Sequence, residues 1–462
     1  MNESTTKQTK QFTGCASLAA LGVKLRQLDL FGPIRKTVHI AQKAVKHTPT
    51  DKLYDAFISL LAGAHGLVEI NTRLRADPAL QAAFGRSTCA EQSVVQETLD
   101  CCTAENVSQM EQALETIYRQ HSQGYSHDYT RQYQILDVDM SGMPCGKKAA
   151  FASKGYFAKQ RNRRGRQLGR VLATRYEEVV VDRLFDGKTQ LTTALQPLMQ
   201  AGEQTLALDE RKRARTLVRI DAGGGSVDDV NWLLARGYHV HCKDYSSSRA
   251  HRLAASVQYW VDDPHVEGRQ VGWVYLPAGE YIRPVRRIAV RCRKANGQWG
   301  IGVLISTLAP REVLALTQVM TGPDTDPATV LLAYVSLYDQ RGGGVETSFK
   351  GDHQGLGTTK RSKKRFEAQQ MVMLLGTLAH NVVIWTRTWL TQLAPPAIRL
   401  RRYGIVRLVR DVFHISGFLV IDACGQIVQV VLNQAAPLAP ILVDSLRVLL
   451  APSHIAVNLG QT

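Results

Sequence analysis

The chain has 462 residues, 44 % of them hydrophobic and 21 % charged, a composition that excludes a disordered or fibrous protein and leaves room for two to four domains. Its balance of 57 Lys and Arg against 40 Asp and Glu gives a net charge of +17, which directs attention to a polyanion, nucleic acid first and an anionic membrane second. No apolar run reaches the about 20 residues that cross a bilayer. The polar start MNESTTKQTKQF also lacks a secretion-signal layout, so a cytoplasmic protein that meets nucleic acid, without membrane contact, is the simplest expectation.

Residues 14–122 space their apolar side chains at three and four, as in DKLYDAFISLLAGAHGLVEINTRLR, and predict helices throughout. The pattern changes at YQILDVDMSG, an alternating run that ends at small residues and predicts a strand followed by a turn. QLGRVLATRY and EEVVVDRLFDG predict two further strands, and a short helix is expected around 190–202. ARTLVRIDAGGG predicts a strand opening into a glycine turn. SVDDVNWLLARG predicts an amphipathic helix capped by Ser226, and GYHVHCKD another strand. This order predicts a mixed sheet with helices packed on it.

From 245 to 325 a series of β runs suggests a β-rich insertion, with Asn296-Gly297 as a two-residue hairpin turn. PATVLLAYVSLYDQ returns to helical spacing, and helices continue to about 395. Residues 403–432 read as strands and PILVDSLRVLLAP as a last helix. The expected boundaries are a helical N-terminal domain 1–128, a core in two parts, 129–244 and 326–400, separated by the insertion 245–325, and a C-terminal segment 401–462.

The eight cysteines are scattered, with no CxxC pair. His239, His241 and Cys242 alternate along one expected strand and read as core and surface positions, not ligands. The Asp221-Ala222-Gly223-Gly224-Gly225 turn lacks the spacing and lysine of a phosphate-binding loop, and Ser246–Ser248 with His251 shows no oriented base for a serine nucleophile.

Three acids stand out by position: Asp139 and Asp221 at predicted strand ends, and Glu346 in a helical stretch after the β runs. Carboxylates at adjacent strand ends can share a site, and such a cluster is costly unless a cation neutralises it. Two divalent cations held there would suit phosphodiester chemistry.

The windows LDVDMSG, VRIDAGGG and YDQRGGGVETSFKGDHQGLG together resemble those of bacterial insertion-sequence transposases of the DDE kind. That resemblance implies a ribonuclease-H-like mixed sheet flanked by helices and interrupted by a β-rich insertion. It assigns Asp139, Asp221 and Glu346 to two Mg²⁺ ions, with Mn²⁺ as a substitute. Asp137 competes with Asp139, and Asp139 is preferred because it directly precedes the Met-Ser-Gly turn. The family's last motif places Arg three after Tyr, Glu four after Arg and Lys seven after Glu. Tyr338 and Arg341 fit, Glu346 lies one residue too far, and His353 replaces the lysine, so Lys350 is assigned the basic role. Arg341 would then touch a phosphate and Tyr338 the DNA backbone. The resemblance also implies DNA-end recognition by the N-terminal helices, a homodimer on double-stranded DNA, and a place at the bacterial nucleoid.

Residues 147–175 hold ten Lys or Arg and no acid, and are expected to form a flexible basic loop on DNA through Lys154, Lys159, Arg161, Arg163, Arg164 and Arg166. A second run, Lys360, Arg361, Lys363 and Lys364, is expected beside the active-site helix. Trp273 and Trp299 in the insertion read as packing residues more readily than as base-stacking platforms. Two rivals stand beside the enzyme: a DNA-binding relative without catalysis, and an ATPase on the same fold, against which the basic loop speaks.

Overall fold

The computed structural model describes residues 8–43, 46–155, 157, 160, 162–319 and 326–461. Its centre is a ten-stranded mixed sheet. The first long strand, β1 (Gln134–Pro144), pairs antiparallel with β2 (Arg164–Ala173), which pairs antiparallel with β3 (Glu178–Asp186). On its other side β1 pairs parallel with β4 (Thr216–Ile220), and β4 parallel with β5 (His239–Lys243). The five therefore lie in the order β3-β2-β1-β4-β5, each strand where its alternating or β-branched run predicted it. The helix Val227–Ala235 between β4 and β5 starts at Ser226, whose hydroxyl accepts from Asp229 N.

The described residues of the stretch expected as an insertion, 245–319, do not form a body apart from this sheet. Its strands Val261–Asp262, β6 (Arg269–Val274), β7 (Arg286–Arg293) and β8 (Trp299–Ser306) continue the sheet beyond β5, to which β8 pairs antiparallel. Helices Ser247–Ala254 and Pro310–Thr317 accompany them. The β7–β8 hairpin closes at Lys294–Gln298, with Gly297 at φ +78° and no positive φ at Asn296. A two-residue type I′ turn needs positive φ at both central positions, so the turn is a longer one with a single left-handed glycine.

The N-terminal helices, among them Ala16–Gln27, Pro49–Leu61, Gln92–Cys101 and Ala104–His121, share one continuous apolar core with the sheet and with the long helix Phe366–Leu393. That long helix also protects the edge strand β3. Its Asn381 side chain both donates to and accepts from Val179, and Gln370 does the same for Leu184 and Asp182, standing in for a missing neighbour strand. A second, four-stranded sheet joins Thr9–Thr13 to Gly417–Ile421, Ile427–Asn433 and Ala456–Gly460. Residues 405–412, read from the sequence as strand, are helical, and the helix Ala439–Leu450 is where it was expected. No helix among the described residues is long and apolar enough to cross a membrane.

Candidate active site

The acids gather where the central sheet opens. The last pair between β1 and β4 is Val138 with Ile220, so the next residues, Asp139 and Asp221, stand at the same level on adjacent parallel strands. Beyond this point β1 runs on to Pro144 with β2 alone, so Asp139 marks the end of parallel pairing and not the end of its strand. Such a divergence at the carboxyl ends of parallel strands leaves the crevice in which α/β sheets bind ligands.

The period of two puts Asp137 on the same face as Asp139. Asp137 is fully buried and spent: Arg219, also buried, donates to its two oxygens at 2.6 and 2.8 Å and to Leu337 O at 2.7 Å. Asp139 meets the cleft. Burial pushes its carboxyl up to about 6, opposed by Arg341 and reinforced by the negative charges of Asp221 and Glu346. Asp221 is half-buried and accepts from Gly223 N at 2.7 Å, which tightens the glycine turn after β4.

Arg341 joins the acids. It ends the helix Pro327–Arg341, is 3 % exposed, lies 2.8 Å from Asp139 and 3.5 Å from Glu346, and donates to Val138 O at 3.3 Å. Burial works against its charge, but Asp139, Asp221 and Asp137 hold it above its ordinary value. The extra residue between Arg341 and Glu346 is absorbed by Gly342–Glu346, a π-type turn kinked at Gly344 (φ −90°, ψ −105°). In an α-helix residues five apart lie roughly 140° apart around the axis. A π turn brings them about one turn apart, so Glu346 still faces Arg341.

Asp139, Met140, Ser141, Glu346, Lys350 and His353 line one open cleft of ≈ 320 Å³. Lys350 is exposed there, whereas the His353 ring is half-buried and burial lowers its pKa below the ordinary value. Tyr338 is half-buried, its ring 6.2 Å from that of His241, and burial raises its hydroxyl pKa above the ordinary value. Among the described residues no three Asp, Glu, His or Cys side chains are arranged as a metal cage, and the positive charge between Asp139 and Glu346 is that of Arg341. The donor chemistry nonetheless suits Mg²⁺, since these are hard carboxylate oxygens carrying more negative charge than one guanidinium offsets.

The basic stretches behave differently from expectation. Residues 164–173 form β2, not a loop, and Arg166 points inward, 1 % exposed, donating to Ala150 O, Lys363 O and Lys364 O at 2.8–3.1 Å. Arg361 is buried and donates to Ala64 O, and burial lowers its pKa to about 10. Lys363 is buried against Gln96, and burial lowers it to about 8. These three cannot meet DNA as expected. They satisfy backbone carbonyls or amides from distant parts of the chain, partners that a local charge run does not reveal. Lys154, Arg163, Arg164, Lys360 and Lys364 are exposed, and Lys159 and Arg161 lie outside the described residues.

The sequence reading also missed the support beneath Glu346. Arg170, 2 % exposed, grips Asp182 at 2.8 and 2.7 Å, lies 2.7 Å from Asp352 and donates to Ser348 at 3.0 Å. His380 completes the chain at 2.7 Å from Asp352. Burial opposes ionisation of Asp352, but His380 and Arg170 hold its carboxyl below the ordinary range. The network fixes the helix Thr347–Gly355, which follows Glu346, to β2 and to the long helix. Arg170 is one of the ten basic residues of 147–175, and only its partners, 12 and 182 residues away, reveal its role.

No protein-family profile and no curated protein matches the chain. Among solved structures it is similar to the piggyBac transposase in a synaptic complex with hairpin DNA, at 10 % identity and a TM-score of 0.45, over 88 % of this chain and 83 % of that one. A likeness this distant leaves function to be argued from the site.

Proposed function

We propose that the chain is a DDE-type DNA transposase that binds the inverted-repeat ends of an insertion sequence, cuts them and joins them to target DNA. The observation that carries this reading is that Asp139 and Asp221 each directly follow the last parallel pair, Val138 with Ile220, while Arg341 bridges Asp139 to Glu346. The mixed order β3-β2-β1-β4-β5, with Asp139 on β1, Asp221 just after β4 and Glu346 before a later helix, supports the reading of a ribonuclease-H-like core.

Asp139, Asp221 and Glu346 would hold Mg²⁺, or Mn²⁺ in its place. Bound there, it would supply Lewis-acid activation of an attacking water and counter-charge for the leaving oxygen. Arg341 stands between the acids with two of its nitrogens directed at carboxylates, a geometry equally suited to a phosphate oxygen. Lys350 offers a point charge at the mouth of the cleft, and the Tyr338 hydroxyl lies within electrostatic reach of Arg341, Asp221 and Asp139. A homodimer on two DNA ends belongs to the same proposal, as does the reading of those ends by N-terminal helices.

Supercoiled plasmid carrying candidate ends, incubated with Mg²⁺, tests the reading. The wild-type chain is expected to nick it. Asp221→Ala is expected to bind the same DNA while losing cleavage by about three orders of magnitude. Undiminished cleavage by that variant would discard the site. A wild type that binds but never nicks would favour a DNA-binding relative without catalysis, a reading that the Arg341 charge between Asp139 and Glu346 keeps in view.

A further inference from the structure

We propose that the arginine-rich segment 399–410 is a second duplex-binding surface, continuous with the acidic cleft, which grips the phosphate backbone of the DNA flanking the cut. This rests on the reading of the cleft as a DNA site. Between residues 395 and 410 there are five arginines and no acid. All five, Arg399, Arg401, Arg402, Arg407 and Arg410, are exposed. The following residue, Asp411, pairs with Arg410 at 2.6 Å and Arg407 at 3.5 Å, whereas Arg399, Arg401 and Arg402 have no ion pair among the described residues.

The backbone arranges these charges outward. Pro395–Arg402 is a 3₁₀-helix, and with three residues per turn Ala397 and Leu400 fall on one buried stripe while Arg399, Arg401 and Arg402 fall outside it. The segment is tied to the long helix: Arg387 donates to Tyr403 O at 3.0 Å while pairing with Glu177 at 2.9 Å.

It is also docked directly on the helix that carries Lys350. Gly351 and Gly355 lie one helical turn apart and face Ile405 and Val406. A Cβ at 355 would come within 3.0–3.1 Å of both, so the close approach depends on glycine. Lys350 and Gln354 line the acidic cleft and, at the same time, an adjoining cleft that reaches Gly404 and Arg407. A basic path therefore runs from the acids over Lys350 to Arg407 and into the arginine segment. Guanidinium groups match phosphate oxygens two at a time, and Arg399, Arg401 and Arg402, exposed and without an ion pair among the described residues, suit a duplex backbone.

Fluorescence anisotropy of the full-length chain on an end-bearing duplex, across a salt series without divalent cation, tests the proposal. Each phosphate neutralised contributes about 0.9 to the slope of log affinity against log salt. The triple variant Arg399→Ala, Arg401→Ala, Arg402→Ala is expected to lower that slope by about 2 to 3 with an unchanged melting temperature. The double variant Arg401→Gln, Arg402→Gln is expected to lower it by about 2, and gives a milder test should the triple variant fold poorly. On a duplex shortened on the flank that the segment grips, wild type and variants should coincide. Equal slopes for wild type and a folded variant on the long duplex would overturn the proposal, as would a wild type that does not bind duplex. A slope difference in a chain that never cuts DNA would uphold this surface while the catalytic reading fell.

Discussion

Asp137 and Asp139 share one face of one strand, and their surroundings give them opposite parts. Asp137 has a buried arginine of its own, whereas Asp139 shares Arg341 with two other carboxylates. The cost of burying the Asp139 charge, only partly offset by Arg341, can be measured. The Asp139 carboxyl is pushed from an ordinary value of 3.8 to about 6. Between about pH 4 and pH 6 the unfolded chain releases this proton while the folded chain keeps it, so stability falls as pH rises through that window and stays reduced above it. Asp139→Asn is neutral at every pH. It is expected to raise stability at pH 7.5 by about 2–3 kcal/mol, seen as a higher melting temperature, and to show no gain below pH 4. A melting temperature at pH 7.5 no higher than that of wild type would show that Arg341 already compensates the charge.

At the scale of elements, the turn Gly342–Glu346 explains how an altered motif keeps its geometry. One inserted residue would rotate Glu346 away from Arg341 in a regular helix, and the π-type turn cancels the rotation. Gly344 makes this possible. A Cβ there would lie 2.5 Å from Asp137 Oδ2 and 2.9 Å from Thr174 Cγ2, and Asp137 cannot retreat because Arg219 holds both its oxygens. Gly344→Ala is therefore expected to destabilise the chain by about 1–3 kcal/mol in denaturant titration. It should also lower the rate of cleavage far more than the affinity for DNA, because Glu346 loses its place. A variant with wild-type stability and rate would show that the turn is not constrained. The three glycines at 342–344 hinted at irregular backbone, but the sequence did not say that this irregularity would restore the motif.

At the scale of the whole molecule, the helical N-terminal part and the sheet are one packed body. The long helix Phe366–Leu393 is buried along nearly all its length, with Ala104–His121 and Pro49–Leu61 among its neighbours. Arg361 and Lys363 tie the loop before it to Ala64, just after the helix Pro49–Leu61, and to Gln96 in the helix Gln92–Cys101. A chain beginning at residue 129 would expose this apolar face. It is expected to be insoluble or to lack a cooperative thermal transition, and a sharp transition from such a fragment would show that the core folds without its N-terminal partner.

Local pattern alone determined the strands β1 to β5, the Ser226 cap, the last helix and the three windows holding Asp139, Asp221 and Glu346, because alternation, capping and turn chemistry act within a few residues of one another. Asp139 stands at the end of parallel pairing, but the Met-Ser-Gly turn by which the sequence favours it over Asp137 is not there, because β1 runs on to Pro144. Tertiary structure decided the rest. It placed Asp139 level with Asp221, put Arg341 between Asp139 and Glu346, joined the strands of 245–325 to the central sheet, and turned Arg166, Arg170, Arg361 and Lys363 from apparent surface charges into buried clasps. The reason is that a charge is buried or exposed according to the carbonyls and carboxylates that reach it, and those partners come from elements up to 297 residues away, beyond any local periodicity.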